Sequence, residues 1–277
     1  MSMRSSASRL AAMVITAGLA AGAPAFAADK PLRDMSTDRP DDTESPYTVD
    51  AGHIQFETTL AGASRSRRDE SGVASDGYEF GTTNLRIGLT DRLEVDAIFE
   101  PYGVSDPDGA GGRSSGVGGL TLRTKLNLMG ADGADKAGDV AIGLLPFVNL
   151  PLNRRNGIGP AAVEYGFILP VDVGLGHGWS VGLNAEVLVL RQDPDGPYDP
   201  EFLTSASFSK QWTPKLGTYY ELAAELSRRD PLGDIVKFDT GATYALTPNL
   251  QVDAGVELGL TRASDRVGGF VGVSMRF

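Results

Sequence analysis

From Gly52 to Phe277 the chain alternates apolar with polar or small residues in stretches of about ten, each ended by a cluster of Gly, Asp, Pro or Asn. Successive side chains of a strand point to opposite faces, so a period of two predicts strands, and no long segment carries a helical period. The spacing predicts strands at His53–Ala63, Tyr78–Leu89, Leu93–Gly103, Gly118–Met129, Asp139–Pro151, Ala161–Val173, Trp179–Arg191, Glu201–Gln211, Leu216–Ser227, Ile235–Leu246, Leu250–Thr261 and Gly268–Phe277. Short turns such as Thr90-Asp91-Arg92, Thr213-Pro214-Lys215 and Thr247-Pro248-Asn249 alternate with mostly longer loops. That is the order expected of an even barrel with both termini at its short-turn end.

The two faces of each strand differ in kind. Leu93, Val95, Ala97 and Phe99 share one face of the third strand, with Glu94, Asp96 and Glu100 on the other. Leu120, Leu122, Leu126 and Leu128 likewise oppose Arg123, Lys125 and Asn127. A soluble β-sandwich shows the same alternation. Lipid is favoured by aromatics at outward strand ends, with Trp179, Trp212 and Phe277 toward the turns and Phe80, Phe99, Phe202 and Phe238 toward the loops. Lys210, the outward charge, lies near a turn where its stem can reach an interface. The expected fold is all-β, an antiparallel up-and-down transmembrane β-barrel of about twelve strands.

The first residues carry Arg4 and Arg9, then an apolar run from Leu10 to Ala21, then Pro24-Ala25-Phe26-Ala27. This reads as a secretory signal over residues 1–27, cut after Ala27, since the run is too short for a spanning helix. Residues 28–52 form a polar, proline-rich segment and residues 53–277 the barrel, placing the protein in the cell outer membrane with lipid as a partner. Loss of Arg4 and Arg9 moves the formal charge from −11 to −13, which disfavours nucleic acid. With no cysteine, disulfides, thiolate metal sites and a Cys nucleophile are excluded.

The segment before the first strand reads Thr37-Asp38-Arg39-Pro40-Asp41-Asp42-Thr43-Glu44-Ser45-Pro46-Tyr47, followed by Gln55-Phe56-Glu57. It resembles the N-terminal motif of the MetA-pathway phenol-degradation family of bacterial outer-membrane barrels. The likeness continues in Thr90-Asp91-Arg92-Leu93-Glu94-Val95 and in Gly138-Asp139-Val140-Ala141-Ile142-Gly143-Leu144. It implies a barrel that admits small, aromatic molecules, and says little of the substrate. Val271, Val273, Met275 and the terminal Phe277 share a face, which resembles the last strand of outer-membrane barrels, whose final aromatic is read by the barrel assembly machinery.

On this register Glu94, Asp96, Glu100, Glu164, Glu186, Glu221, Glu225 and Glu257 face the lumen with Arg123 and Lys125, and acids outnumber bases. Two readings stand: cross-strand ion pairs that knit a polar interior, or a filter that repels anions. Leu145, Phe147, Ile168, Leu188 and Leu190 make an apolar patch on the same face. It either binds an apolar solute, receives the N-terminal segment as a plug, or is turned to lipid by a bulge. The segment itself is either a disordered periplasmic tail or a strap inside the barrel.

No catalytic site, cofactor or metal is expected. The two histidines, His53 and His177, fall at the turn end, away from the outer leaflet where a lipid-modifying barrel enzyme works. Gly174, Gly176 and Gly178 precede a strand rather than a helix and read as a turn. Asp193, Asp195, Asp199 and Glu201 lack a calcium-loop pattern and read as a solvated loop. The functional expectation is a passive channel for a small-molecule solute; the rivals are an adhesive or structural barrel and, less favoured, a lipid-modifying enzyme.

Overall fold

The computed structural model describes residues 31–109, 112–191, 196–226 and 233–277. The expected signal, part of the acidic loop with Asp193 and Asp195, and most of the loop after Ser227 lie outside the described residues. The elements are β1 (Ile54–Arg65), β2 (Ser75–Phe80), β3 (Thr82–Thr90), β4 (Leu93–Phe99), β5 (Tyr102–Pro107), β6 (Ser114–Gly116), β7 (Gly119–Met129) and β8 (Val140–Pro151). They continue with β9 (Glu164–Gly176), β10 (Trp179–Leu190), β11 (Asp199–Gln211), β12 (Leu216–Leu226), β13 (Ile235–Thr247), β14 (Leu250–Gly259) and β15 (Val267–Arg276).

Three pairs of elements, β2 with β3, β4 with β5 and β6 with β7, are single barrel strands broken by one or two residues, so fifteen elements make a closed antiparallel barrel of twelve strands. Gly81, at φ 75°, makes the first break by adopting a left-handed conformation, and its N–H still reaches the Thr59 carbonyl at 2.9 Å. The sheet closes where β15 pairs with β1, from Gln55 opposite Arg276 to Arg65 opposite Val267. Phe277 completes that seam, its N–H donating to the Ile54 carbonyl at 2.8 Å.

Burial runs opposite to that of a water-soluble barrel. The fully buried large side chains include Arg86, Lys125, Glu57, Glu94 and Glu221, whereas Leu122, Phe167, Leu183, Leu222 and Val256 are 42–50% exposed on the outside. Such apolar surface runs around the wall on strand after strand, far beyond the patch a soluble monomer tolerates. A closed sheet leaves no unpaired edge, which makes that exterior compatible with hydrocarbon. Trp179 stacks on Phe208 at 4.7 Å beside Trp212, and the Lys210 ammonium lies 4.8 Å above the Trp179 ring while donating to the His177 carbonyl. This is the geometry of a lysine reaching an interface. Among the described residues no helix is long and apolar enough to cross a membrane.

Candidate functional site

The lumen is occupied by the chain's own N-terminal segment. Residues 32–53 contain no regular secondary structure, because proline and short polar side chains supply neither the periodicity nor the donors of a strand. The segment starts at the turn end, where Arg33 donates to the Ala131 carbonyl at 2.7 Å and pairs with Asp50, also at 2.7 Å. It rises to a tip at Arg39–Glu44 and returns to the turn end before β1. We call it the strap.

A strap without a ladder must satisfy its backbone through side chains. Glu57 accepts from the Asp38 N–H at 2.9 Å, Glu221 from the Asp42 N–H at 2.7 Å and Glu94 from the Val49 N–H at 2.5 Å. Arg86 donates to the Tyr47 carbonyl at 2.8 Å and Asn127 to the Pro46 carbonyl at 2.9 Å. The inward charges of the wall therefore bond the strap as well as each other.

Asp38 is the anchor. Its carboxylate meets Arg123 at 2.6 Å, Lys125 at 2.5 Å and Arg86 at 3.5 Å. Burial works against its charge, yet Arg86, Lys125 and Arg123 together outweigh it and hold the carboxyl well below the usual range. Around it the wall alternates in sign: Arg86 stands opposite Asp96, Asp96 opposite Arg123, and Glu94 opposite Lys125. Glu44 closes on Arg123 from the strap, and Ser45 donates to Asp38.

Arg39 makes the second anchor, reaching Asp253 with both Nη2 at 2.8 Å and Nε at 3.3 Å, and lying over the Phe270 ring. A Cβ on Gly272 would stand 2.3 Å from its Nη2, so a side chain there would push the guanidinium out of this position. Gly88 plays the same part for the strap backbone, since a Cβ there would meet the Asp50 and Val49 carbonyls at 2.2 and 2.4 Å. At the tip Thr43 bonds Ser205 at 2.7 Å and also Glu221, while Asp42 pairs with Lys237 at 2.5 Å. Pro40 leads into this tip, and Asp41 lies beside Glu221, which with burial pushes its carboxyl up to about 7. On the way back Tyr47 donates to Asp172 at 2.7 Å.

The structure thus gathers Asp38, Glu44, Glu94, Asp96, Arg123 and Lys125 into one cluster, and Glu221 into another at the tip. Glu186, Glu225 and Glu257 instead line a cavity of about 570 Å³ above the tip, open toward the loops, together with Leu203, Ala223 and Ile235. Glu164 accepts from Asn149 at 3.0 Å. Glu100 packs under Gly103 and Gly118 near Ile158, which the loop 152–163 folds over the mouth. In the apolar patch, Leu145 stands opposite Ile168 and Ile168 opposite Glu186, while Phe147 and Leu188 both flank Gly166. Leu190 lies two residues further toward the loops. Leu145 and Ile168 are buried, and the register shift between β9 and β10 falls at Trp179/Ser180, so no bulge turns the patch outward. The ring of His53 contacts the Ala51 carbonyl, and His177, at φ 54°, sits exposed in the turn between Gly176 and Gly178.

Sequence reading missed as parts of the site Gly88, Gly272, Asn127, Gln55, which donates to the Ser36 carbonyl at 2.8 Å, and Arg276, which pairs with Asp50 at 3.0 Å. The available signal was parity at Gly88, which follows Asn84 and Arg86 on the inward register of β3, so something must come close there; Gly272, between Phe270 and Ser274, carried no such signal.

The sequence matches the family described as Putative MetA-pathway of phenol degradation over residues 37–277, a span that includes most of the strap. No curated protein matches. Among solved structures, an outer membrane channel from Pseudomonas putida F1 is similar with a TM-score of 0.64 at 16% identity, covering 86% of this chain and 99% of that one. The NanC porin is similar with a TM-score of 0.52 at 8% identity, covering 79% and 98%. At these identities the likeness is one of fold.

Proposed function

Because the chain belongs to the family described as Putative MetA-pathway of phenol degradation, we propose that it is an outer-membrane channel for passive uptake of small aromatic molecules, closed in this conformation by its own strap. The observation that carries the reading is the division of the lumen. The strap and its ion pairs cross the lumen between a turn-end cavity of about 570 Å³, beside Arg33, Tyr47 and Trp179, and the loop-end cavity of about 570 Å³. That volume suits a small ring compound rather than an oligomer. The loop-end walls mix Leu203, Ala223 and Ile235 with Lys237 and the carboxylates of Asp42, Glu186, Glu225 and Glu257, so uncharged aromatics with a polar substituent fit and anions are disfavoured. Passage requires the tip to leave the wall.

The protein has no cysteine, so a reversible lock can be built without background. The Thr43 and Ser205 hydroxyls lie 2.7 Å apart across strap and wall. Oxidised T43C/S205C protein, reconstituted in planar bilayers, is expected to be silent, and a reductant is expected to restore the conductance of the unmodified protein and its permeation by phenol. Conductance that persists while a gel shift shows the disulfide formed would overturn gating by the strap. An unmodified protein that passes neither ions nor phenol would overturn the channel reading itself.

A further inference from the structure

Glu221 on β12, Asp239 on β13 and Glu257 on β14 stand directly opposite one another in a single cross-strand row, Glu221 against Asp239 and Asp239 against Glu257. Like charges facing each other across strands repel, and here they do so in the lumen, with Glu221 and Asp239 only 1% and 2% exposed. The strap then adds Asp42. The ion pairs in this quarter are made by Lys237, which reaches Asp42 at 2.5 Å and Glu257 at 3.6 Å; among the described residues neither Glu221 nor Asp239 forms one. The carboxylates of Asp42, Glu221 and Asp239 each bring an oxygen within 4.8 Å of the other two.

A second feature points the same way. Asp239 Oδ2 and the hydroxyl of Tyr219, on residues 2% and 3% exposed that lie against one another and beside Glu221, are buried without a well-formed hydrogen bond. Polar atoms left so are rare in folded proteins and call for an unseen partner. The parallel group on the other wall, Asp38 with Glu94 and Asp96, brings its oxygens equally close, but Arg86, Arg123 and Lys125 already fill it.

We propose that Asp42, Glu221 and Asp239 bind a hard divalent cation, calcium by preference, which clasps the tip of the strap to the β12–β13 wall. An all-oxygen, carboxylate-rich set selects a hard cation, and oxygens within 4.8 Å of one another can share an ion whose bonds are about 2.3–2.6 Å long. Calcium suits the site better than magnesium because its coordination is larger and less regular. Asp42 is 43% exposed at its side chain and lines the loop-end cavity, which gives the ion a route in and lets water complete its shell. The site is divided between strap and barrel, so binding the ion fastens one to the other whether or not the barrel conducts.

The test is calorimetric titration of calcium chloride into the refolded, lipopolysaccharide-free protein after stripping with a chelator, with folding checked by heat-modifiable gel mobility. The expected result is one calcium per barrel, with affinity lowered at least about tenfold in Asp239→Asn and again in Asp42→Asn, because charge count sets the affinity of such sites. Terbium luminescence provides a second reading, sensitised by Tyr219 and weakened in Tyr219→Phe without loss of calcium binding. Absence of calcium binding by the unmodified protein, or unchanged affinity in Asp239→Asn, would overturn the site. Unchanged affinity in Asp42→Asn, which stays testable if the wall variant fails to fold, would overturn the clasp.

Discussion

On the β3, β4 and β7 side of the lumen, cations and carboxylates alternate from strand to strand, and Asp38 of the strap completes the set by meeting three bases at once. On the β12, β13 and β14 side, three carboxylates face one another in register, and the strap adds Asp42 to an acidic group served by Lys237. Both walls are polar and both hold the strap, but the energetics differ. Buried charges are tolerated when each is paired and hydrogen-bonded, and are costly when they are not. The first wall therefore pins the strap, and the second holds it only on conditions. If the strap gates the barrel as proposed, that difference predicts that Pro40–Thr43 leaves the wall before Asp38 does.

The largest change should come from removing the pin. Asp38→Ala leaves Arg123 and Lys125 short of a buried partner, a loss of about 3–5 kcal/mol. Release of the strap is expected, seen as protease cleavage between residues 36 and 48 and as a raised bilayer conductance while heat-modifiable mobility shows the barrel still closed. A protected strap in that variant would erase the contrast between the walls. Gly272→Ala comes next: its Cβ would overlap the Arg39 guanidinium and break the pairing with Asp253, an overpacking cost of about 1–3 kcal/mol, read as a lower melting temperature.

The same kind of substitution on the acidic wall should have the opposite sign. With a chelator present, Glu221→Gln removes one of the facing like charges and is expected to raise the melting temperature by a few degrees, whereas Glu94→Gln, which unbalances the paired wall, lowers it. Equal effects would show that the two walls do not differ. The smallest expected effect is on pH. Asp41 is pushed up to about 7 by burial and by Glu221 beside it, so its folded value lies above its unfolded one. It contributes stability that is fully present below the ordinary carboxylate range and is lost as pH rises through about 7. In chelator, the strap should thus resist protease better at pH 5 than at pH 8, and a calcium supply should flatten the difference.

Much of this was legible before any coordinates. The twelve strands were readable from parity alone, because a side-chain period of two admits no other element, and inward Glu94, Asp96, Arg123 and Lys125 follow from the same parity. Trp179, Trp212 and Lys210 at the turn end were readable from where strands stop. The breaks at Gly81 and Glu100-Pro101 fall inside the expected strands Tyr78–Leu89 and Leu93–Gly103 and were not predicted, and neither was β6, which lies before the expected strand start at Gly118.

By itself, then, the sequence determined the all-β fold, the strand count, which side chains point inward and the excess of acid among them, for these depend on neighbours along the chain. It left open whether residues 28–52 hang free or enter the lumen, and it showed no spacing of a metal site. Both were decided by tertiary structure. Asp38 meets Arg123 across 85 residues, and Asp42 meets Glu221 across 179. Pairing of β12 with β13 sets Glu221 beside Asp239, but only closure of β15 on β1 brings the strap to them, and charges repel or pair according to distance in space rather than position in sequence.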